Sequence, residues 1–392
     1  MQTLKAMTIK EIKLYPIAMP LVEPLRTSFG MEPYKGAIIV EVLTDTGVSG
    51  WGEASVAPDP GYTGETMGTA YHILRHYMVS LLQGKTITHP TEAQALLRVV
   101  RYHEHAKHGI ECAVWDAFAK TNDMRLTDLL GQVAGEMAET APVVSTNRAT
   151  VGVSIGLQDT DEALFEIIDK RLAQGYKRIK LKIKPGQDID LTRTVRARYP
   201  NIMIMVDANS AYTLADADHL QQLDEYDLLM IEQPLAYDDI YEHSQLQPQL
   251  QTPICLDESI KNANDLRLAL DVEAIGILNL KPARVGGFTE SLAIYTICVQ
   301  NDLPLWIGGM LEVGIGRAAN VALAALPGVT LPCDISATDR YFDPDLTEPP
   351  FVLNADSTLD VPDGVGIGSD VQRDRLQTAV TTWYDRNQYS LG

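Results

Sequence analysis

The sequence predicts an α/β protein: a modified (β/α)8 TIM-like barrel with a second, α+β domain in the N-terminal third, onto which the C-terminal tail folds back. Three observations carry this. Between residues 151 and 334, short apolar runs alternate with amphipathic stretches such as 161–173, as successive parallel βα units require. The first third instead shows strand-like runs joined by a tight turn, followed by two helical stretches. Between the two textures, 139–150 is rich in Thr, Ser, Ala and Pro and reads as a linker. The expected division is 1–145 for the α+β domain, with 340–392 folding back on it, and 146–339 for the barrel.

In chain order, 12–20 alternates like a strand, 37–43 is an apolar run entering Thr44-Asp45-Thr46-Gly47, and 48–54 continues after that turn. This predicts a small antiparallel meander. Helical periodicity marks 65–82 and 110–120. Barrel strands are expected at 151–156, 178–184, 202–207, 228–232, 253–257, 275–281, 304–309 and 329–334. Eight such units in this length predict a closed parallel barrel, modified because the last helical turns are less distinct. A polar helix is expected near 370–387.

Composition narrows the function. With 32 Lys and Arg against 52 Asp and Glu, the net charge is −20. Such a field repels nucleic-acid phosphates and anionic membranes, so the expected partner is a small molecule. An anionic substrate then needs placed cations or a metal ion. Cys112, Cys255, Cys298 and Cys333 are scattered without CxxC spacing, which fits reduced core residues of a cytoplasmic protein. No run reaches membrane-span length, and the first ten residues lack an apolar signal core. Met7, just before the first strand pattern, is an alternative translation start.

Three carboxylates end consecutive apolar runs: Asp207, Glu232 and Asp257, each 25 residues after the last. Lys281 follows 24 residues later, one βα unit on. One unit upstream, Lys180 and Lys182 alternate on one face of a strand. In a barrel the C-terminal strand ends form the active-site mouth, so these groups converge there. Three close carboxylates repel one another unless a cation intervenes, and an all-oxygen set favours a hard ion, Mg²⁺, with Mn²⁺ as an alternative. Lys182 and Lys281, on the second and sixth strands, flank the metal-bound ligand from opposite sides. That suits removing a proton α to a carboxylate, where the metal stabilises the enediolate and a partly desolvated lysine serves as base. One charged strand end is a solvated cap, but five at one-unit spacing describe a site.

At these residues the sequence resembles the enolase superfamily, muconate-lactonising-enzyme subgroup, and within it the o-succinylbenzoate synthase / N-acylamino acid racemase family. The likeness runs through Gly50-Trp51-Gly52-Glu53, Lys180-Leu181-Lys182, Asp207-Ala208-Asn209, Ile231-Glu232-Gln233-Pro234, Leu256-Asp257-Glu258-Ser259, Leu280-Lys281-Pro282 and Gly308-Gly309-Met310-Leu311-Glu312. The resemblance implies Lys182 and Lys281 as acid/base groups and Asp207, Glu232 and Asp257 as Mg²⁺ ligands. It further implies Lys180 as a partner of the substrate carboxylate, with Ser154, Asn209, Gly309, Met310 and Arg26 in the substrate pocket. It makes 1–145, with the tail, an α+β capping domain closing over the barrel, with segments 26–30 and 58–65 as capping loops, and the assembly a homo-oligomer. The implied activity is o-succinylbenzoate synthesis by dehydration, in menaquinone formation, and/or racemisation of N-acyl (N-succinyl) amino acids. A cycloisomerase or dipeptide epimerase of the same superfamily is the alternative, and a non-catalytic small-molecule binding protein the alternative of another class. Lys184 stands where the family pattern has an acidic residue. A mandelate-racemase-like site needs a His near the seventh strand, and no His follows His243.

Other motifs fail on context. Gly152-Val153-Ser154-Ile155-Gly156 imitates a nucleophile elbow, yet its triad would need a late His. Gly314-Ile315-Gly316-Arg317-Ala318-Ala319 imitates a dinucleotide fingerprint without the preceding strand. His72 and His76 lack the Glu of a zincin helix, and His103, His105 and His108 face unevenly.

Overall fold

The structure, a computed structural model, describes residues 4–27 and 30–386, and the side chains of all these except 25–32. The N-terminal meander is present: β1 (Met7–Thr27), β2 (Gly30–Thr44) and β3 (Ser49–Ala54) form an antiparallel sheet, which the short strand Thr86–Ile87 extends beside β1. β1 outruns the expected 12–20 and slips register between Pro20 and Leu25, where prolines cannot donate to the ladder. The stretch 65–82 is helical but interrupted by a π-turn at Leu74–Met78.

Helix α1 (Glu104–Thr121) lies directly on β3 and is longer than the predicted 110–120. It is buried on nearly all sides, so its amphipathic signal is weak. The close approach explains Gly50-Trp51-Gly52: a Cβ on Gly52 would stand 2.1 Å from Gly109 O, and one on Gly50 2.2 Å from Ala113 O.

The barrel strands are β4 (Val153–Ile155), β5 (Arg178–Lys182), β6 (Met203–Asp207), β7 (Ile231–Glu232), β8 (Ile254–Leu256), β9 (Ile277–Leu280) and β10 (Leu305–Ile307), parallel and paired in chain order. The expected eighth strand at 329–334 is not a regular strand. Pro332 has no N–H, so only scattered bonds form there. They still close the ring: Asp334 N donates to Ile307 O at 2.9 Å, and Gly152 N to Cys333 O at 2.8 Å. Outer helices include α2 (Phe288–Gln300) and α3 (Gly314–Ala324). The tail contributes α4 (Arg373–Arg386), which packs back onto β1.

Two buried carboxylates of the capping layer meet the N-termini of barrel helices, where backbone N–H groups lack partners within the helix. Glu53 Oε2 accepts from Val313 N and Gly316 N, both at 3.1 Å, at the start of α3. Glu111 Oε1 accepts from Thr289 N at 3.2 Å and from the Thr289 hydroxyl, at the start of α2. Gly287 makes room for this contact, since a Cβ there would lie 1.4 Å from Glu111 Oε2. Burial pushes the Glu53 carboxyl up to about 8 and that of Glu111 up to about 7.

Candidate active site

Sheet register assembles the first part of the site. Lys182 pairs with Asp207 and Asp207 with Glu232, so the three stand in one row across β5, β6 and β7. Lys182 Nζ donates to Asp207 Oδ2 at 2.6 Å and to Asn209 Oδ1 at 2.5 Å. Lys180, two residues deeper, is buried with its ammonium 2.9 Å from Asp207 Oδ2 and 2.6 Å from Glu232 Oε2. Asn279 Nδ2 donates to Glu232 Oε1 at 2.8 Å, and Asn209 Nδ2 to Glu258 Oε1 at 3.1 Å.

The second part forms around Asp257, just past β8. Lys281 Nζ donates to Asp257 Oδ2 at 2.8 Å, and the Arg284 guanidinium pairs with Asp257 Oδ1. Gly308 leaves space for this lysine, because a Cβ there would lie 2.7 Å from Lys281 Cε and 2.2 Å from Asn279 Oδ1. From the capping layer, the Tyr62 hydroxyl accepts from Lys281 Nζ at 2.6 Å and Arg284 Nη2 at 2.5 Å, while donating to Asp257 Oδ2 at 3.0 Å. The loop bearing Tyr62 is tied down by Glu65, whose carboxylate accepts from His105 N at 2.8 Å and Ala106 N at 3.2 Å in the first turn of α1. Burial raises Glu65 to about 7.

A cavity of about 830 Å³ opens between barrel mouth and cap. Its wall includes Ser154, Lys180, Lys182, Asn209, Lys281, Gly309 and Met310, so the expected pocket residues meet in one place. The side chain of Arg26 lies outside the described residues. Asp207, Glu232 and Asp257 are fully buried beneath this wall. Lys184 is exposed at its rim.

Burial raises every one of these carboxyls, and the neighbouring charge then decides the outcome. For Asp207 the Lys180 and Lys182 ammoniums outweigh burial and hold it well below the usual range. For Asp257 the Arg284 and Lys281 cations win and bring it to about 2. Glu232 goes the other way, to about 8, because burial is reinforced by the Asp207 charge.

Among the described residues no three His, Cys, Asp or Glu side chains stand as a ready-made ligating cluster: Asp207 and Glu232 turn to Lys180, and Asp257 to Lys281 and Arg284. The donor chemistry nonetheless fits a hard divalent cation. Three carboxylates end adjacent strands, and buried Glu232 Oε2, although 2.6 Å from Lys180 Nζ, accepts no well-aligned hydrogen bond.

Several residues at the site were not singled out by the sequence, Asn279 among them. Asp334 closes an apolar run as the other three acids do, and Arg178 shares the inward face of Lys180 and Lys182, so both carried a usable signal. Arg284 sits in the helical turn Pro282–Val285 that folds back over the strand end. Tyr62 reaches Lys281 from 219 residues away, a contact no local pattern reports.

Comparison with known proteins agrees with this architecture. Residues 164–375 match the enolase C-terminal domain-like family, and residues 9–131 the mandelate racemase / muconate lactonizing enzyme N-terminal domain. An o-succinylbenzoate synthase of Geobacillus kaustophilus is 44% identical over 372 residues, covering 95% of this chain and 96% of the relative. An N-succinylamino acid racemase of Amycolatopsis sp is 42% identical, covering 92% of this chain and 95% of that protein. The crystal structure of an enolase-superfamily member from Listeria innocua superposes with a TM-score of 0.89 at 40% identity, covering 95% of this chain and 97% of the other. Identity, coverage and fold together make this chain an enzyme of the enolase superfamily, a member of the o-succinylbenzoate synthase / N-acylamino acid racemase family in the muconate-lactonising-enzyme subgroup.

Proposed function

We propose that this enzyme removes the proton α to the carboxylate of a small substrate, with Lys182 and Lys281 as its acid/base groups and Asp207, Glu232 and Asp257 as ligands of Mg²⁺ or Mn²⁺. The observation that carries the reading is that both lysines line one cavity from opposite sides of the barrel, with the three acids beneath them. When bound, the divalent ion supplies Lewis-acid stabilisation of the charge that builds on the substrate carboxylate. Lys180 adds a fixed positive charge at the same end of the substrate. Lys182, oriented by Asn209, takes the α-proton. Tyr62 and Arg284 orient Lys281 on the other face, and Tyr62 with its loop excludes water.

The principal activity in this reading is o-succinylbenzoate synthesis by dehydration, in menaquinone formation. Lys182 removes the proton and then assists loss of hydroxide on the same face, while protonated Lys281 steadies the enediolate. Racemisation of N-succinyl amino acids is a second activity of the same site. The observation favouring it is the second lysine, since racemisation needs a proton donor on each face. The same reading places the enzyme in the cytoplasm as a homo-oligomer. The four buried free cysteines support the location, and the homo-oligomer is what the family resemblance implies.

The test is proton NMR in D₂O with Mg²⁺, offering the dehydration substrate and N-succinyl amino acids in parallel. Turnover or α-deuteration that vanishes with chelator and falls steeply in both K182A and K281A supports the reading and ranks the substrates. Turnover of muconate or dipeptides instead would move it to a cycloisomerase or epimerase. Binding without any exchange would make the protein a binder.

A further inference from the structure

Arg178 and Asp334 form an ion pair, with Asp334 in the wall of the same cavity, that the proposed chemistry does not use. Arg178 is fully buried, with Nη1 2.6 Å from Asp334 Oδ1 and Nη2 donating to Pro332 O at 2.8 Å. Room for it comes from Gly152, where a Cβ would lie 2.4 Å from Arg178 Nε. The other oxygen, Asp334 Oδ2, is 3.1 Å from Lys180 Nζ. The Trp306 ring packs against both cations, its centroid 5.5 Å from Arg178 Cζ and 5.1 Å from Lys180 Nζ.

Lys180 therefore stands between two sets of acids. On one side are Asp207 and Glu232, at 2.9 and 2.6 Å, and on the other is Asp334. An ammonium this close to two prospective ligands repels any dication seeking the same oxygens. Once those oxygens turn to a metal ion, a buried ammonium left without a counter-ion is strongly unfavourable. Asp334 supplies that counter-ion. It stays ionised because Arg178 behind it cannot lose its proton.

We propose that Asp334, backed by Arg178, is a positioning residue that takes up the Lys180 ammonium when a divalent ion occupies Asp207 and Glu232, so that metal affinity depends on it. The inference rests on the ligand assignment proposed above.

The experiment is calorimetric titration of the purified full-length enzyme with Mn²⁺, without substrate, comparing wild type with D334N, D334S, D334E, K180M and D334N/K180M. D334S leaves room for water, so the result does not hang on one variant folding; circular dichroism checks each. We expect D334N and D334S to raise the Kd for Mn²⁺ at least about tenfold, and charge-retaining D334E to stay within about threefold of wild type. In the K180M background D334N should change Kd by less than about threefold, because the ammonium needing a counter-ion is gone. Wild-type affinity in both D334N and D334S overturns the inference, as does a full penalty that persists in K180M. A wild-type enzyme that binds no Mn²⁺ removes the ligand assignment itself, and the inference with it.

Discussion

Lys182 and Asp207 are cross-strand neighbours in the register of β5 and β6, and the ammonium of one lies 2.6 Å from a carboxylate oxygen of the other. Lys182, the proposed base, is thus built into the sheet, while Lys281 reaches the cavity from the strand end opposite. If each lysine serves one face, K182M and K281M should each lower α-proton exchange by about 10²–10⁴-fold. Given the two enantiomers of one N-succinyl amino acid separately, each variant should keep more exchange with the enantiomer whose α-proton faces the surviving lysine. Deuterium wash-in followed by NMR reads this out, and equal losses for both enantiomers in both variants would sink the two-face arrangement.

Tyr62 is the only described capping-loop side chain hydrogen-bonded at once to Lys281, Arg284 and Asp257. In Y62F two buried cations lose an acceptor. Hydrogen bonds to charged groups contribute about 1.5–3 kcal/mol, so kcat/KM should fall about tenfold or more. Initial rates across substrate concentrations test this; an unchanged kcat/KM would mean the hydroxyl contact does nothing in turnover.

Stability should decline in mild alkali. Glu53, Glu65 and Glu111 have folded-state values of about 8, 7 and 7, above the 4.5 of a free carboxylate. The folded protein therefore keeps protons that the unfolded chain has released. The contribution is complete below about pH 4.5 and is lost as pH rises through 7 and 8. Between pH 6 and pH 9, Tm should drop by about 3–6 °C. E53Q, which cannot ionise, should flatten part of that slope in differential scanning calorimetry. A slope identical to wild type would contradict the assignment.

Gly52→Ala should be among the more damaging conservative changes in the cap. Its Cβ would strike the backbone of α1 at Gly109 O and Ala113 N, which cannot move aside as a flexible side chain could. Overpacking of this kind costs about 1–3 kcal/mol or more. Urea denaturation gives the value, and a variant within about 0.5 kcal/mol of wild type would show that the helix can shift.

The acids and lysines at the strand ends were legible because a barrel turns a linear period into a ring. Every twenty-fifth residue or so returns to the same mouth, whatever the helices between do. Tyr62 and Arg284 follow no such period. One depends on a loop folding over from the cap, the other on a single helical turn after Pro282. Asp334 did follow it, as the last residue of the expected strand at 329–334, so its place was legible although Pro332 breaks the regular strand there. The length of β1 and the nearly all-round burial of α1 were hidden for a related reason: each is set by packing against elements far away in sequence.

The contacts of Glu53 and Glu111 with α3 and α2 bear on how this enzyme could be recombined. A cap transplanted from a relative brings its own acids, so the recipient barrel must offer open helix starts at matching positions and a glycine where Gly287 stands. Chimeras cut at 139–150 without regard to these pairs should misseat the lid over an intact barrel. Retargeting is then better sought by exchanging residues 57–61 and 63, around a retained Tyr62, than by exchanging the whole layer.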